Sequence, residues 1–308
     1  MNLDGDIIQL KHDRKCMVCG GPAHFFSRGS EPVCLRADCQ LVLNKKKQSN
    51  ESSYKQYFSL QSAQIKRTVE LVELRKKRLA LKKETENNEN LSCWRKAINP
   101  DDGYDPEYYP YTVVPTNSKK ITKLPQERKS LFHKTLYRLI GDILSERGEN
   151  KEKTKEDQYE DSRLNEILEN ESPFEAKACS ICSGGCCGIG EEHAFLKKET
   201  IFHYMSEHPD QTPSQVLTSY MKYLPEESFE DSCVNHTKTG CVLPRDMRSH
   251  VCNDYLCDPL NQLRKLNTQT PLPKGVFFIS RAQNNWKKDD PDVDNSIVGS
   301  LLILNDQV

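Results

Sequence analysis

Thiols set the terms for this chain. Eight of its thirteen cysteines fall between Cys179 and Cys257, two of them adjacent at Cys186 and Cys187, and four more, Cys16, Cys19, Cys34 and Cys39, crowd the N-terminal region. The remainder is polar for its 308 residues: 36% are hydrophobic and 29% charged, with a mean hydropathy of -0.75. Small modules bury too little apolar surface to fold unaided and recruit cross-links to compensate. The expectation is an α+β protein of small metal-stapled modules joined by helices.

Metal is expected over disulfides because nothing points to export. Residues 1–15 carry Asp4, Asp6 and Asp13 and no apolar run, unlike a secretory signal. No stretch approaches the roughly 18–20 apolar residues of a membrane span. The protein is expected to be cytoplasmic and away from membranes, where thiols stay reduced and clustered cysteines bind metal. A net charge of -1 predicts no global attraction to nucleic acid.

Five segments follow from spacing and charge. Residues 14–42 read as a treble-clef-like zinc finger. Cys16 and Cys19 share a tight turn relieved by Gly20 and Gly21, and Cys34 and Cys39 follow, the last opening a helix. Four thiolates in a closed tetrahedron are characteristic of structural zinc. Free or redox-active thiols are the alternative, and His24 is a conceivable replacement ligand. Residues 52–84 read as a long basic helix, with Phe58, Ile65, Val69, Val72 and Leu79 on one stripe and no glycine or proline from 40 through 99. Across residues 45–83 there are twelve Lys/Arg and three Glu. With Lys66, Arg67, Arg75 and Arg78 exposed together, this helix could grip a phosphate backbone; a solvated face packing one apolar stripe is the plainer reading.

Residues 99–148 read as an extended Tyr/Pro-rich passage followed by a helix with Phe132, Leu136, Leu139, Ile140, Ile143 and Leu144 on one face, ended by Gly148. Ten acidic residues against five basic ones across residues 145–172 mark 149–173 as an acidic linker. Residues 174–308 form the cysteine-cluster metal-binding domain, with a short helix from Pro213 and strands at 275–280 and 297–304.

The candidate ligands of that last segment are Cys179, Cys182, Cys186, Cys187, Cys233, Cys241, Cys252 and Cys257. Side chains of neighbouring residues diverge, so Cys186 and Cys187 are not expected to clasp one ion together. Gly184, Gly185, Gly188 and Gly190 around them would admit a bulky inorganic centre. His193 and His236 are possible further ligands. Cys93, beside Trp94, has no partner at ligand spacing and reads as an apolar packing residue.

The block of Cys179, Cys182, Cys186 and Cys187, followed by Cys233, Gly240, Cys241, Arg248, Ser249 and Cys252, resembles the zinc- or iron-chelating cysteine-cluster family called YkgJ-like, defined by CxxCxxCC, in a longer bacterial branch. The likeness covers roughly 175–260. The gap before the cysteine pair is one residue longer here, Ser249 stands where the family has proline, and Asn253 where it has arginine. The resemblance implies a metal or iron–sulfur centre, and a related region of flagellin lysine methylases is associated with an iron–sulfur cluster. Zinc and iron–sulfur both suit thiolates. No G-x-S-x-G elbow, P-loop or H-E-x-x-H occurs, so a metal-binding protein is expected. An iron–sulfur enzyme acting on a protein partner and a zinc-finger nucleic-acid binder are the alternatives.

Overall fold

The structure is a computed structural model describing residues 15–23, 32–146, 172–282 and 289–307, which form two compact units, Met1–Lys83 and Glu84–Val308. His24, Gly148 and the acidic segment 149–171 lie outside the described residues.

The first unit combines a cysteine knuckle with helices α1 (Ala37–Lys45) and α2 (Glu51–Ala97), the latter passing into the second unit. Asn50 caps α2, its Oδ1 accepting from the Ser53 amide at 2.9 Å. Of the expected stripe, Ile65 is buried and Phe58, Val69 and Leu79 are half-buried, whereas Val72 faces solvent. The helix runs thirteen residues past the expected end at 84. The polar stretch there has no helix breaker, and the chain leaves the helix only ahead of Pro100, which forces extended backbone on Asn99 (φ -106, ψ 126). Those last turns are tied down within the second unit by Arg281, which is buried and donates to Asn90 Oδ1, the Glu86 carbonyl and Glu89 Oε2 at 2.8 to 2.9 Å.

The second unit continues with β1 (Tyr111–Thr116), β2 (Ile121–Lys123), α3 (Gln126–Glu146), α4 (Glu175–Cys182), α5 (Lys198–Glu207) and α6 (Pro213–Lys222), the last begun by a Thr212–Gln215 capping box. Next come β3 (Glu227–Phe229), β4 (His236–Thr237), β5 (Gly240–Cys241), α7 (His250–Asp254), α8 (Asp258–Leu266), β6 (Gly275–Ala282) and β7 (Ile297–Leu304). The two strands expected near the C-terminus are present as β6 and β7. Unexpected is β1, which lies within the passage read as extended and pairs in parallel with β6, Val113 opposite Ile279; β7 pairs antiparallel on the other side, Leu302 opposite Phe277. Residues 99–148 and 174–308 therefore share one sheet.

Strand β6 is central and apolar on both faces, because both are covered. Val276 and Phe278 meet Phe174, Leu260, Leu263 and Ile303 on one side. Phe277 and Ile279 meet Ile98, with Trp94 and half-buried Cys93 at the margin, on the other. A separate helical core joins Phe132, Leu136, Leu139, Ile140 and Ile143 of α3 to Ile201 and Tyr204 of α5 and Val216 and Tyr220 of α6. Leu144, expected on that face, is 44% exposed. Among the described residues no helix is long and apolar enough to cross a membrane.

Candidate metal centres

The knuckle brings Cys16 and Cys19 together by closing on itself. The Cys16 amide donates to the Gly21 carbonyl at 2.7 Å and the Gly20 amide to the Cys16 carbonyl at 2.8 Å, with Gly20 left-handed at φ +76. A positive φ here is what glycine permits. Cys39 sits in the first turn of α1, and the Gln40 side chain holds the Cys34 carbonyl at 2.7 Å. All four thiols are buried, and their sulfurs lie within 4.8 Å of one another. Cys19 Sγ and Cys34 Sγ are 3.7 Å apart. An ion bound at about 2.3 Å in a tetrahedron requires sulfur–sulfur edges of about 3.8 Å, so the quartet could hold a metal ion with no further movement at that edge.

The electrostatics of the quartet point the same way. Burial pushes the Cys34 thiol up and the Cys39 thiol strongly up, the latter aided by its neighbouring sulfurs. At Cys16 burial is outweighed by the amides of Cys19, Cys34 and Val18 aimed at the sulfur, which hold it at about 7. Desolvated thiols that oppose one another's ionisation need a cation before all can be thiolates.

The eight C-terminal thiols are gathered differently. Cys179 and Cys182 lie three residues apart on α4 and share a face. Ser183, left-handed at φ +54, turns the chain into a 3-10 helix, Cys186–Gly190. Cys257 precedes α8, and Ser249 caps the short α7 that carries Cys252, its Oγ accepting from the Val251 amide at 3.3 Å. Asn253 donates to the Arg245 carbonyl at 3.0 Å. Cys179, Cys182, Cys186, Cys187 and Cys257 wall one cavity, together with Gly184, Gly185, Tyr255 and His236. Cys182 packs with the sheet core, with Cys179 and Cys257 against it, while Cys233, Cys187 and Cys241 pack with the helical core. Among the described residues, however, no three of these eight come as close together as the N-terminal four. Their spacing is wider than that of the N-terminal quartet.

Cys186 and Cys187 do not diverge as expected. The Cys187 thiol faces Cys186 and holds it down at about 7, while Cys187 itself is driven well up. Burial raises Cys182 and Cys257 to about 11 and Cys252 to about 12, and raises Cys179 and Cys233 further. Neighbouring sulfurs add to the rise at each of the five.

His236 has no ring nitrogen to offer a metal. Its Nε2 donates to the Cys179 carbonyl at 3.2 Å, which leaves Nδ1 to accept from Ser232 Oγ at 3.1 Å. Burial, joined by the charge of Lys119, holds this imidazole neutral at about 4. His193 is exposed, with Nδ1 accepting from the Phe195 amide at 3.0 Å. The glycines also serve another purpose than the expected one. A Cβ on Gly184, at φ +98, would lie 2.7 Å from Ser232 Oγ, and one on Gly190 would lie 3.0 Å from the Phe195 ring. They allow the loop to pack against protein.

Two features escape sequence reasoning. Glu175, 1% exposed, lies between two guanidiniums, with Arg245 Nη2 and Arg264 Nε each 2.6 Å from its carboxylate. Asn117 and Lys119, between β1 and β2, lie against the Cys182–Gly188 stretch. Partners separated by 65 or more positions leave no spacing signal. On α2, Lys66, Arg67, Arg75 and Arg78 are all exposed, but consecutive helical residues point about 100° apart, so Lys66 is turned away from Arg67. Leu60, Leu71, Leu74 and Leu81 are exposed among these cations.

Comparison with protein-family models, with curated proteins and with solved structures finds no match to this chain. The likeness to the YkgJ-like family therefore rests on its cysteine spacing alone.

Proposed function

We propose that the protein binds two metal centres of different kind. One is a structural zinc ion held by Cys16, Cys19, Cys34 and Cys39. The other is an iron–sulfur cluster in the C-terminal unit, with ligands drawn from Cys179, Cys182, Cys186, Cys187, Cys233, Cys241, Cys252 and Cys257. The contrast in sulfur spacing carries this reading. Four buried sulfurs within 4.8 Å match a single tetrahedral ion. The wider C-terminal set suits a cluster, in which each thiolate binds a different iron and the sulfurs stand further apart. Of the eight, Cys179, Cys182, Cys186, Cys187 and Cys257 are the leading ligands, because they wall the cavity. Such a cluster would supply electron transfer, and the surrounding thiols would supply its site.

The test is metal analysis of full-length protein purified without oxygen. Brown protein carrying zinc together with iron and acid-labile sulfide is expected; colourless protein holding zinc alone would remove the cluster. Cys34→Ser should lose zinc and keep iron, Cys182→Ser should lose iron and keep zinc, and Cys93→Ser should keep both. Iron retained by both Cys182→Ser and Cys252→Ser would mean the ligands are misassigned.

A further inference from the structure

The passage from β1 to β2 contains no cysteine, yet it makes direct polar contact with the cysteine loop from outside it. The Asn117 amide and its Nδ2 both donate to the Cys182 carbonyl, at 3.0 and 2.9 Å, and the same Nδ2 lies 3.9 Å from Cys182 Sγ. Lys119 crosses the loop two residues on. Its Nζ donates to the Asp231 carbonyl. A Cβ on Gly188 would stand 3.0 Å from that Nζ, and one on Gly184 would stand 3.3 Å from Lys119 Cδ. Glycine at both positions is what lets the ammonium settle on the turn that carries Cys186 and Cys187. The strap is anchored further along, where the Glu230 amide donates to the Lys120 carbonyl at 2.8 Å and β2 pairs with β3.

We infer that Asn117 and Lys119 are positioning residues of the C-terminal thiolate centre: Asn117 supplies a hydrogen bond to a ligand sulfur and Lys119 a fixed positive charge, and together they raise its reduction potential. The inference rests on the reading of these thiols as a cluster site. Reduction adds negative charge, which a neighbouring cation favours, and hydrogen bonds to sulfur and local net charge are two of the quantities that set a cluster's potential. Both residues lie outside the region that resembles the YkgJ-like family.

The experiment is a redox titration of anaerobic full-length protein, followed by visible absorption, for wild type, Lys119→Gln, Lys119→Arg and Asn117→Asp. Iron content is measured on each sample. In Lys119→Gln the ratio of reduced to oxidised centre at a fixed poise should fall about tenfold, about 59 mV for a one-electron couple. Asn117→Asp, which keeps the side chain's shape while replacing the donor with a negative charge, should fall at least as far. Lys119→Arg should stay at the wild-type value. If Lys119→Gln comes without iron, Asn117→Asp decides the matter alone. An unchanged or raised potential at wild-type iron content overturns the inference. Wild-type protein without iron overturns the cluster reading instead, so the two failures are distinguishable.

Discussion

Glu175 shows how much one side chain can organise. It starts the helix that carries Cys179 and Cys182, and it joins that helix to Arg245 and to Arg264 of α8. A buried carboxylate faced by two guanidiniums is costly to disturb, because removing one partner leaves charge in a poorly solvated place. Glu175→Gln keeps the shape and deletes the charge both arginines face. It should destabilise the second unit by about 3–5 kcal/mol in denaturant melts. The exposed Lys198–Glu146 pair, at 37% and 47% side-chain exposure, is the contrast: Lys198→Gln should leave the midpoint where it was, as expected of screened surface pairs. Only the first of these residues is tied to the thiols, and nothing in the order of residues 175, 245 and 264 announces it.

Among the elements, the central strand is where sequence and packing agree best. The run of Val276, Phe277, Phe278 and Ile279 is legible as a strand because it is apolar, β-branched or aromatic, and short. Its position at the centre follows from being apolar on both faces. Gly275 opens it for a reason the sequence does not display: a Cβ there would stand 2.6 Å from the Ile303 carbonyl on β7. Gly275→Ala should cost about 1–3 kcal/mol through the forced backbone shift. Gly299→Ala, with nothing within 4 Å of its Cβ position, should be tolerated; comparable losses in both thermal melts would contradict this packing. Strand β1 was not legible. Proline at 115 and tyrosines at 108, 109 and 111 mark the passage as extended without marking it as a paired strand, and its pairing with β6 depends on a neighbour more than 160 positions away. The far end of α2 was missed for the opposite reason. Its last turns are polar, so no apolar stripe marks them, and Arg281 holds them through Glu89 and Asn90.

For the whole molecule, two units with separate cores imply separate dependence on metal. The first unit's buried set is made largely of its four thiols plus Val18, Ala23, Val42 and Ile65, too little to fold without help. Metal binding at such sites is worth roughly 10–16 kcal/mol and is folding energy. The second unit has two apolar clusters that contain many side chains other than cysteine. A metal chelator should therefore strip hydrogen-exchange protection from residues 16–23 and 32–45 while leaving β6 and β7 protected. Loss of protection in both at equal chelator concentration would show that the second unit depends on bound metal as well.

Composition and cysteine spacing were enough to expect helix and sheet together in this polar chain and to locate the N-terminal quartet, which could hold a metal ion. Ligands three residues apart on one turn are local chemistry, and local chemistry is visible in order. Which thiols crowd one cavity, why His236 is withheld from metal, and why Asn117 and Lys119 cover the cysteine turn were settled by folding alone. Those contacts join segments 57 to 112 positions apart, brought together by the burial of apolar faces, which specifies that surfaces meet and not which polar groups ride upon them.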